Sequence, residues 1–479
     1  MNINQSKMLK KIQTILTAAF LMIIPGFFLT GCKKFLEQEP SNRISVNDIF
    51  KDFEGARTTL IGTYDNLKEV DYYGRSIGLY ADLTGGNIKY ARSNDPAYLR
   101  TYNFSNSSIA DQNDLQGFYL VGYNTIYRAN AVFENISKVA DANQLQINRM
   151  LADAYTFRAL SHFELVRVFA QPYNFTADAS HPGIIIRTKN TSADEPAGEI
   201  STVKQVYDQI VADFDSAIAL YPNSVSIYAG GDARSYFSLD AAKAFLARVH
   251  LYRNDWAKAI TLCNEVITAG YPLTSNLNYV NGWRRNGGKQ MDNEAIFYLY
   301  ARIDVNQGAF GDNFNPGNNI FGYMAASNDL LNIFGPGDVR GTGTMFLQAP
   351  VSGINYFFTK KYQGRNDSSD NQKLIRSSEL YLIRSEAQAE SDNLTGALAD
   401  LNRIRQRANP VAPALTLTDK QQLLDSIFVE RRRELCFEGH FLFDITRKKK
   451  NLVRADCIGT NCSVAYPSAL FAVPRPVER

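Results

Sequence analysis

The amino-acid sequence predicts a mainly α-helical protein in which helix pairs support two long irregular regions. Apolar residues recur every three or four positions across residues 118–170, which is the spacing of one helix face. Residues 239–269 and 376–408 each have the pattern of a helical hairpin, a two-helix unit of about 34 residues that resembles tetratricopeptide repeats. Residues 72–117 and 271–375 lack sustained periodicity and are rich in glycine, asparagine and aromatic residues.

The N-terminal segment, residues 1–31, is predicted to be an export signal. Its apolar run is about 15 residues long, which is short for a membrane-spanning helix and suits a signal peptide. The run ends in Leu29-Thr30-Gly31-Cys32, which resembles a bacterial lipobox. We therefore expect lipid on Cys32 and a polar tether over residues 32–45, with a plain secretory signal as the alternative.

The helices of the body follow in order along the chain. One face of the helix within residues 118–170 is formed by Leu151, Tyr155, Ala159, Phe163, Val166 and Ala170. Phe157 and Leu160 add a second apolar strip, which predicts that this helix packs between neighbours. Residues 202–221 form a further helix that ends before Pro222.

The two hairpins have recognisable turns. Asn254-Asp255 separates the helices of the first hairpin and Gly270 caps its end, whereas Asp392-Asn393 separates those of the second. Two-helix units of this kind cannot bury their apolar faces alone and are expected to stack. The alternative is a set of unrelated hairpins.

The irregular regions are the expected carriers of function, because a hundred residues with little helix inside a helical protein usually serve binding or catalysis. The chain contains 57 aromatic residues, many of them in these two regions. An aromatic ring can stack on the apolar face of a sugar, while amide, carboxylate and guanidinium groups bind its hydroxyls. The alternative for any one of these rings is a place in the core.

Charge argues against a nucleic-acid partner. Without the first 31 residues, which hold three lysines and no acid, the chain has 48 basic and 48 acidic residues. A neutral body lacks the excess of positive charge that drives binding to a phosphate backbone.

Signatures of catalysis are scarce. The four histidines form no zinc motif, and no phosphate-binding glycine loop is present. Gly74-Arg75-Ser76-Ile77-Gly78 matches the nucleophile elbow of hydrolases, but no buried strand precedes it. Cys457 and Cys462 can form a small disulfide in an oxidising compartment, and a metal site there is the weaker alternative. No cofactor is expected, although structural calcium is conceivable near Asp312-Asn313 and Asn366-Asp367, which lack a complete loop pattern.

Motifs along the whole chain belong to one known pattern. The opening runs from Gly31-Cys32 to Pro40, and the middle contains Phe157-Arg158-Ala159-Leu160. The most specific motif runs from Glu430 to His440 and closes in Asp444-Ile445-Thr446-Arg447. These motifs resemble the SusD/RagB family of outer-membrane nutrient-binding lipoproteins. Phe441 departs from the family, which usually has arginine there. The charges of the Glu430–His440 segment can pair along a helix, which indicates a structural role.

The resemblance implies a SusD-like fold, in which four tetratricopeptide-like helix pairs support a loop-rich ligand-binding half. The N-terminal part of the body would span about residues 46–225, and the C-terminal part about residues 226–479. The resemblance also implies a protein that is not an enzyme and that binds oligosaccharide at the cell exterior. It would deliver this ligand to a SusC-type TonB-dependent transporter in the outer membrane.

The loops of this family vary, so the ligand residues are predicted from composition alone. The candidates are Tyr72, Tyr73, Asp82, Asn87, Tyr90, Arg92, Trp283, Arg284, Phe321 and Tyr323. Two alternatives to glycan binding remain, namely a peptide-binding member of the same family and a surface glycoside hydrolase.

Overall fold

The computed structural model describes residues 46–91, 98–191, 198–286, 289–290, 292–300, 310–316, 324–362 and 370–476. Contacts divide the chain into two units, Met1–Ile49 and Phe50–Arg479. Val46–Ile49 is the helix described in the first unit, and the other described helices and the strands belong to the second.

The described residues are mainly helical, as the sequence predicts. The helices are α1 (Val46–Ile49), α2 (Phe53–Leu67), α3 (Ser76–Gly85), α4 (Leu99–Tyr102), α5 (Gln116–Asn135), α6 (Gln144–Phe169), α7 (Val203–Leu220), α8 (Leu239–Arg253), α9 (Trp256–Ala269), α10 (Asn328–Leu331), α11 (Ser377–Glu390), α12 (Leu394–Ala408), α13 (Lys420–Leu435) and α14 (Phe441–Arg447). No described helix combines the length and the apolar character that crossing a membrane requires.

The strands are short and form two-stranded antiparallel sheets. They are β1 (Ile88–Tyr90), β2 (Pro182–Ile185), β3 (Ile200–Thr202), β4 (Arg285–Asn286), β5 (Lys289–Gln290), β6 (Ala295–Leu299), β7 (Met324–Ala326), β8 (Phe346–Val351), β9 (Ile354–Thr359), β10 (Gln372–Arg376), β11 (Leu452–Val453) and β12 (Ser463–Val464). The pairs are β1 with β7, β2 with β3, β4 with β5, β6 with β10, β8 with β9 and β11 with β12. Several of these strands lie within residues 271–375, the second irregular region.

Helix α6 is the central helix of the N-terminal part. It begins with a capping box, in which the Asn143 side chain accepts from the backbone N–H of Gln146 and the Gln146 side chain accepts from that of Asn143. Its second half is buried all round, because α5 and α7 pack against it. This confirms the prediction that two apolar strips place this helix between neighbours.

Both predicted hairpins are present, as α8–α9 and α11–α12. Asn254 and Asp392 adopt left-handed backbone conformations at the turns, and Gly270 ends α9 at a φ of 104°. Asparagine, aspartate and glycine tolerate this region better than other residues do, which explains their places here. Helix α9 packs against α11, so the two hairpins are neighbours.

Helix α3 corrects the expectation that residues 72–117 are irregular throughout. All ten of its residues are buried. A Cβ on Gly78 would lie 2.9 Å from the Phe310 ring, and one on Gly85 would lie 2.9 Å from the Leu442 backbone nitrogen. These glycines allow close packing on several sides. A helix that is enclosed in this way has no polar face, and its sequence therefore shows no amphipathic period.

Candidate functional site

The two irregular regions meet in a small sheet. Strand β1 of the first region pairs with β7 of the second, and Tyr90 lies opposite Met324. Strand β9 packs on β7, and Ala91, Ala325, Val351 and Phe358 form an apolar cluster beneath them. The structure thus joins these regions, but the contacts that join them are largely buried and apolar.

Tyr72 and Tyr73, two of the predicted ligand residues, lie in the interior. Tyr73 is almost fully buried and donates its hydroxyl to the buried Glu164 at 2.8 Å, and the Tyr72 ring packs edge-on against Tyr73. Burial raises the pKa of both phenols, which therefore stay protonated. The prediction that they contact a ligand is corrected, because both belong to the core.

Asp82 and Asn87 form a buried clamp rather than a ligand site. The Asn87 amide donates to Asp82 at 2.6 Å, and the backbone N–H of Gly439 donates to the other carboxylate oxygen at 2.7 Å. Asn87 in turn accepts from Arg432 at 2.8 Å. Burial raises the pKa of Asp82 to about 6, although these hydrogen bonds oppose the shift. The clamp ties the end of α3 to the loop after α13, which corrects the predicted role of both residues.

Apart from Trp283, five predicted ligand residues remain, namely Tyr90, Arg92, Arg284, Phe321 and Tyr323. Tyr90 is buried and meets the ring of Tyr102 edge-on at 5.0 Å, so its predicted ligand contact is corrected as well. Arg284 is exposed and follows a short turn at residues 281–283. The other three candidates lie outside the described residues, namely Arg92, Phe321 and Tyr323.

Trp283 packs against cations, which corrects its predicted role as a stacking surface for sugar. Lys373, Lys361 and Arg376 place their charges 4.1, 4.7 and 5.3 Å from the centre of its ring system. Its exposed fraction is only 8 %. The ring therefore stabilises buried positive charge and has little surface to offer a ligand.

The Glu430–His440 segment is structural, as predicted, but its charges pair with distant parts of the chain. Glu434 accepts from Arg376 at 2.7 Å and from Arg340 at 2.9 Å, and it also contacts Arg407. Arg376 additionally bridges to Glu438 at 2.8 Å. These groups come from separate loops and helices, so the cluster fixes the second irregular region to α13.

Two further residues contact arginine side chains, namely Glu294 and Phe441. Burial disfavours the charge on Glu294, but Arg407 and Arg376 outweigh it and lower the pKa of this carboxyl to about 2. The Phe441 ring lies under the Arg432 guanidinium at 4.2 Å, which is a cation–π contact.

An open pocket of about 340 Å³ lies between α2, the loop after α7 and the end of β6. We call it the tyrosine pocket. It is lined by Ile61, Tyr64, Asp65, Lys68, Ala229, Gly230, Gly231, Ser235, Tyr236, Leu299 and Tyr300. Three tyrosines and a few polar side chains in a concave surface of this volume are typical of a small-molecule site.

Tyr236 is the best-placed ring of the pocket. It stacks on Tyr228, with ring centroids 4.1 Å apart and planes 4° from parallel. Tyr64 is perpendicular to both rings, with its centroid 5.3 Å from that of Tyr236 and 5.6 Å from that of Tyr228. Tyr64 therefore stands beside the stack. Tyr236 is half-buried, and its second face has no ring partner among the described residues.

A buried carboxylate holds this stack in place. Asp153 accepts the hydroxyl of Tyr228 at 2.5 Å, that of Tyr221 at 2.9 Å and that of Tyr64 at 3.3 Å. Arg149 neutralises it with Nε 3.1 Å from both carboxylate oxygens. Burial raises the pKa of all three phenols, which remain protonated donors. The loop that carries the stack is thus anchored from the core.

The rim of the pocket is polar. Lys68 and Asp65 form an ion pair at 2.5 Å, in which the lysine side chain is 13 % exposed and the aspartate side chain 55 %. Gly230 and Gly231 have φ angles of 76° and 79°, and a Cβ at either position would meet nothing within 4 Å. The two glycines permit this left-handed turn and leave the mouth of the pocket open.

None of the residues that line the tyrosine pocket is among the ligand residues predicted from the sequence. The connection between α7 and α8, residues 221–238, lies outside both irregular regions. A usable signal was present in Tyr228-Ala229-Gly230-Gly231, followed by Tyr236, since paired glycines between tyrosines indicate a tight turn with rings on either side.

Three other features predicted from the sequence are the hydrolase-like motif, the disulfide and the candidate calcium loops. Ser76 of the hydrolase-like motif is buried, and its hydroxyl lies 2.8 Å from that of Tyr98. Cys457 and Cys462 form a disulfide. Asp312 and Asn313 are buried, and the described residues contain no group of three or more histidine, cysteine or acidic side chains that could hold a metal. Asn366 and Asp367 lie outside the described residues.

Comparison with protein families gives two matches. Residues 34–251 match a SusD-like family described as starch-binding and associating with the outer membrane. Residues 293–462 match the SusD family. Together these two matches cover most of the chain.

Individual relatives agree with these matches. SusD-like protein P25 of Formosa agariphila is 23 % identical over 497 residues, which cover 91 % of this chain and 90 % of that protein. A SusD superfamily structure from Bacteroides vulgatus is 23 % identical and superimposes with a TM-score of 0.78, covering 89 % of this chain and 96 % of its own. A structure named surface glycan-binding protein A, from Bacteroides thetaiotaomicron, is 17 % identical with a TM-score of 0.71, covering 89 % and 96 %.

Proposed function

We propose, for a chain that belongs to the SusD/RagB family, that it binds oligosaccharide or polysaccharide at the cell surface without transforming it. The observation that carries this proposal is the tyrosine pocket, where a ring held from the core stands beside polar groups at an open mouth. Sugars combine apolar ring faces with hydroxyl groups, and this arrangement can bind both.

We further propose that the protein is held on the outer membrane by lipid at Cys32 and faces the cell exterior. The description of one matching family as associating with the outer membrane supports this location. Several acyl chains at about 0.8 kcal/mol per buried methylene would give a stable anchor. The residues from 32 to 45 would then act as a tether.

Delivery to a SusC-type TonB-dependent transporter completes the proposed role. A binding protein that keeps its ligand intact needs a partner that carries the ligand across the membrane. Family membership supports this partner. Purification of the full-length lipoprotein from its native outer membrane in mild detergent tests the proposal, since a TonB-dependent transporter should co-purify in equal amount. Absence of such a transporter would contradict it.

A non-catalytic role is supported by the state of two histidines, His162 and His440, and by the burial of Ser76. Burial lowers the pKa of His162 to about 3, and its ring accepts a hydrogen bond from the Arg187 backbone. His440 is buried as well, and its pKa lies well below the usual value, first because of burial and then because of Arg248 and Arg431. Both histidines are placed as packed neutral rings rather than as general bases at a cleft.

The proposed function is tested with purified protein and a panel of polysaccharides and oligopeptides. Affinity electrophoresis in gels that contain amylopectin, laminarin, xyloglucan or galactomannan should show retardation in at least one glycan. Isothermal titration with a mixture of tryptic peptides should show no heat of binding. Release of reducing ends from the retained glycan would indicate a hydrolase instead, and binding of peptides alone would favour the peptide-binding alternative.

A further inference from the structure

We propose that the tyrosine pocket accepts one uncharged sugar ring, stacked on the open face of Tyr236, and disfavours acidic sugars. This inference rests on the proposed glycan-binding function and specifies its ligand class and its contact residue. Four observations support it. They are the ring contacts of Tyr236, the hydrogen bonds that hold its stacking partner Tyr228, the charges at the rim of the pocket, and the space at the mouth of the pocket.

The open face of Tyr236 follows from its neighbours. Tyr228 covers one face at a centroid distance of 4.1 Å, and Tyr64 approaches the stack from the side. Tyr236 lines the pocket and is half-buried, and we infer that its second face is the part of the ring that the pocket exposes. A flat aromatic face of this kind suits the C–H face of a sugar ring.

The ring is held before any ligand arrives. Tyr228 is fixed by its hydrogen bond to Asp153, and the loop is fixed again where the Phe237 backbone N–H donates to the Tyr64 hydroxyl at 2.9 Å. Arg149 also donates to the Phe237 carbonyl oxygen at 2.7 Å. A surface that is ordered in advance loses less conformational entropy on binding, which favours affinity from a single stacking contact.

The charge of the rim favours an uncharged ligand. Among the lining residues, the charged side chains are Asp65 and Lys68, and their ion pair cancels the net charge. The carboxylate is the more exposed partner, so an acidic sugar would meet a negative charge first. A carboxylate also accepts hydrogen bonds from sugar hydroxyls, which a neutral sugar supplies.

The space at the mouth fits one ring. A volume of about 340 Å³ lies near the lower end of small-molecule pockets. Gly230 and Gly231 leave open space where side chains would stand, so the rest of a glycan chain can leave the pocket past this turn.

The test uses the neutral glycan that retards the wild-type protein most strongly, with dissociation constants from isothermal titration. Tyr236→Ala should weaken binding at least about tenfold, because it removes the stacking face. Tyr236→Phe keeps the ring and should fall between the alanine variant and the wild type. Tyr127→Ala is the matched control, because Tyr127 is a tyrosine on α5 that is 48 % exposed and lies outside the pocket. Melting temperatures show whether each variant is folded.

The charge preference is tested with the same glycan after oxidation of its primary hydroxyls to carboxylates. We expect the oxidised glycan to bind at least about tenfold more weakly than the neutral one, with part of this loss recovered in Asp65→Asn. Equal or tighter binding of the oxidised glycan would overturn the preference for uncharged sugars.

Failure of the inference and failure of the proposed function give different results. If the wild type binds a glycan and folded Tyr236→Ala binds it equally well, the pocket is not the site, while glycan binding stands. The panel is extended with the acidic polysaccharides polygalacturonate and alginate, and if the wild type binds only these, the preference for uncharged sugars is wrong. If no glycan in the panel binds, the proposed function fails, and the inference fails with it.

Discussion

Tyr228 and Tyr236 lie in face-to-face contact, with their ring planes 4° from parallel, and Tyr228 donates its hydroxyl to the fully buried Asp153. One hydrogen bond thus connects a ring at the surface to a charge in the core. The accessible ring is thus ordered by a hydrogen-bond network that extends into the core.

Removal of the buried charge should affect both stability and binding. Asp153→Asn leaves Arg149 without its partner, which we expect to lower the free energy of unfolding by about 3 kcal/mol. The Tyr228–Tyr236 stack should lose its anchor, so glycan affinity should fall as well. Urea unfolding and isothermal titration check both effects. The exposed Asp111→Asn is the control, with an expected change in stability within about 0.5 kcal/mol.

Asp82 should make stability depend on pH in an unusual direction for a carboxylate. Its pKa is raised from 3.8 to about 6 in the folded protein, so the protonated form favours folding. Its contribution to the free energy of unfolding is full below pH 3.8 and is lost as the pH rises through 6, a difference of about 3 kcal/mol.

Comparison with Asp82→Asn isolates this effect, since the variant cannot titrate there and other carboxylates change equally in both proteins. Urea unfolding from about pH 3.5 to pH 7 should show the wild type losing stability relative to the variant as the pH rises. If the difference in the free energy of unfolding between the wild type and Asp82→Asn stays constant with pH, Asp82 does not titrate in this range.

The Glu434 cluster should be a major source of stability. Glu434→Gln removes the charge that Arg376, Arg340 and Arg407 share, which should lower the free energy of unfolding by about 3 kcal/mol or more. The matched control is Glu54→Gln, which breaks an exposed pair with Arg57 and should cost about 0.5 kcal/mol or less. Equal losses in the two variants would mean that the buried cluster adds nothing beyond a surface ion pair.

Trp283 should matter for stability and not for glycan binding. Trp283→Phe keeps a ring but shortens the contact with Lys373, Lys361 and Arg376, so we expect a loss of about 1–2 kcal/mol in the free energy of unfolding. The dissociation constant for glycan should stay within about twofold of the wild type, because the side chain is covered. A large loss of affinity in a folded variant would return Trp283 to the binding site.

Cys32 should determine where the protein is found. Cys32→Ser removes the thiol that would carry lipid, so the protein should leave the outer-membrane fraction and appear in soluble fractions. Lys33→Ala, which changes the next residue and keeps the thiol, should stay in the membrane fraction. Membrane retention of the serine variant would show that lipid at this position is not the anchor.

Local patterns in the sequence predicted α6, α7 and both hairpins correctly, although they missed α3. The period of apolar residues in α6, the left-handed turn at Asn254 and the glycine that ends α9 are all effects of residues close together along the chain. Such effects depend on helix geometry and backbone preference, which a single sequence displays directly.

The sequence could not predict the burial of the aromatic residues. Tyr72, Trp283 and Tyr236 are alike in residue class, yet the first two are enclosed and the third is half open. The partners of Trp283 come from segments up to about 90 residues away, so the composition of its own loop carries no record of them.

The sequence by itself therefore determined most of the helices and their turns, because these depend on residues that are close together along the chain. Only the tertiary structure decided which rings face solvent and which charges pair. Glu434 and Arg376 attract each other because the fold brings distant segments into a dry interior, where an unpaired charge is costly. The tyrosine pocket arises in the same way, because Asp153 in the core holds Tyr228, the stacking partner of Tyr236, from 75 residues away along the chain.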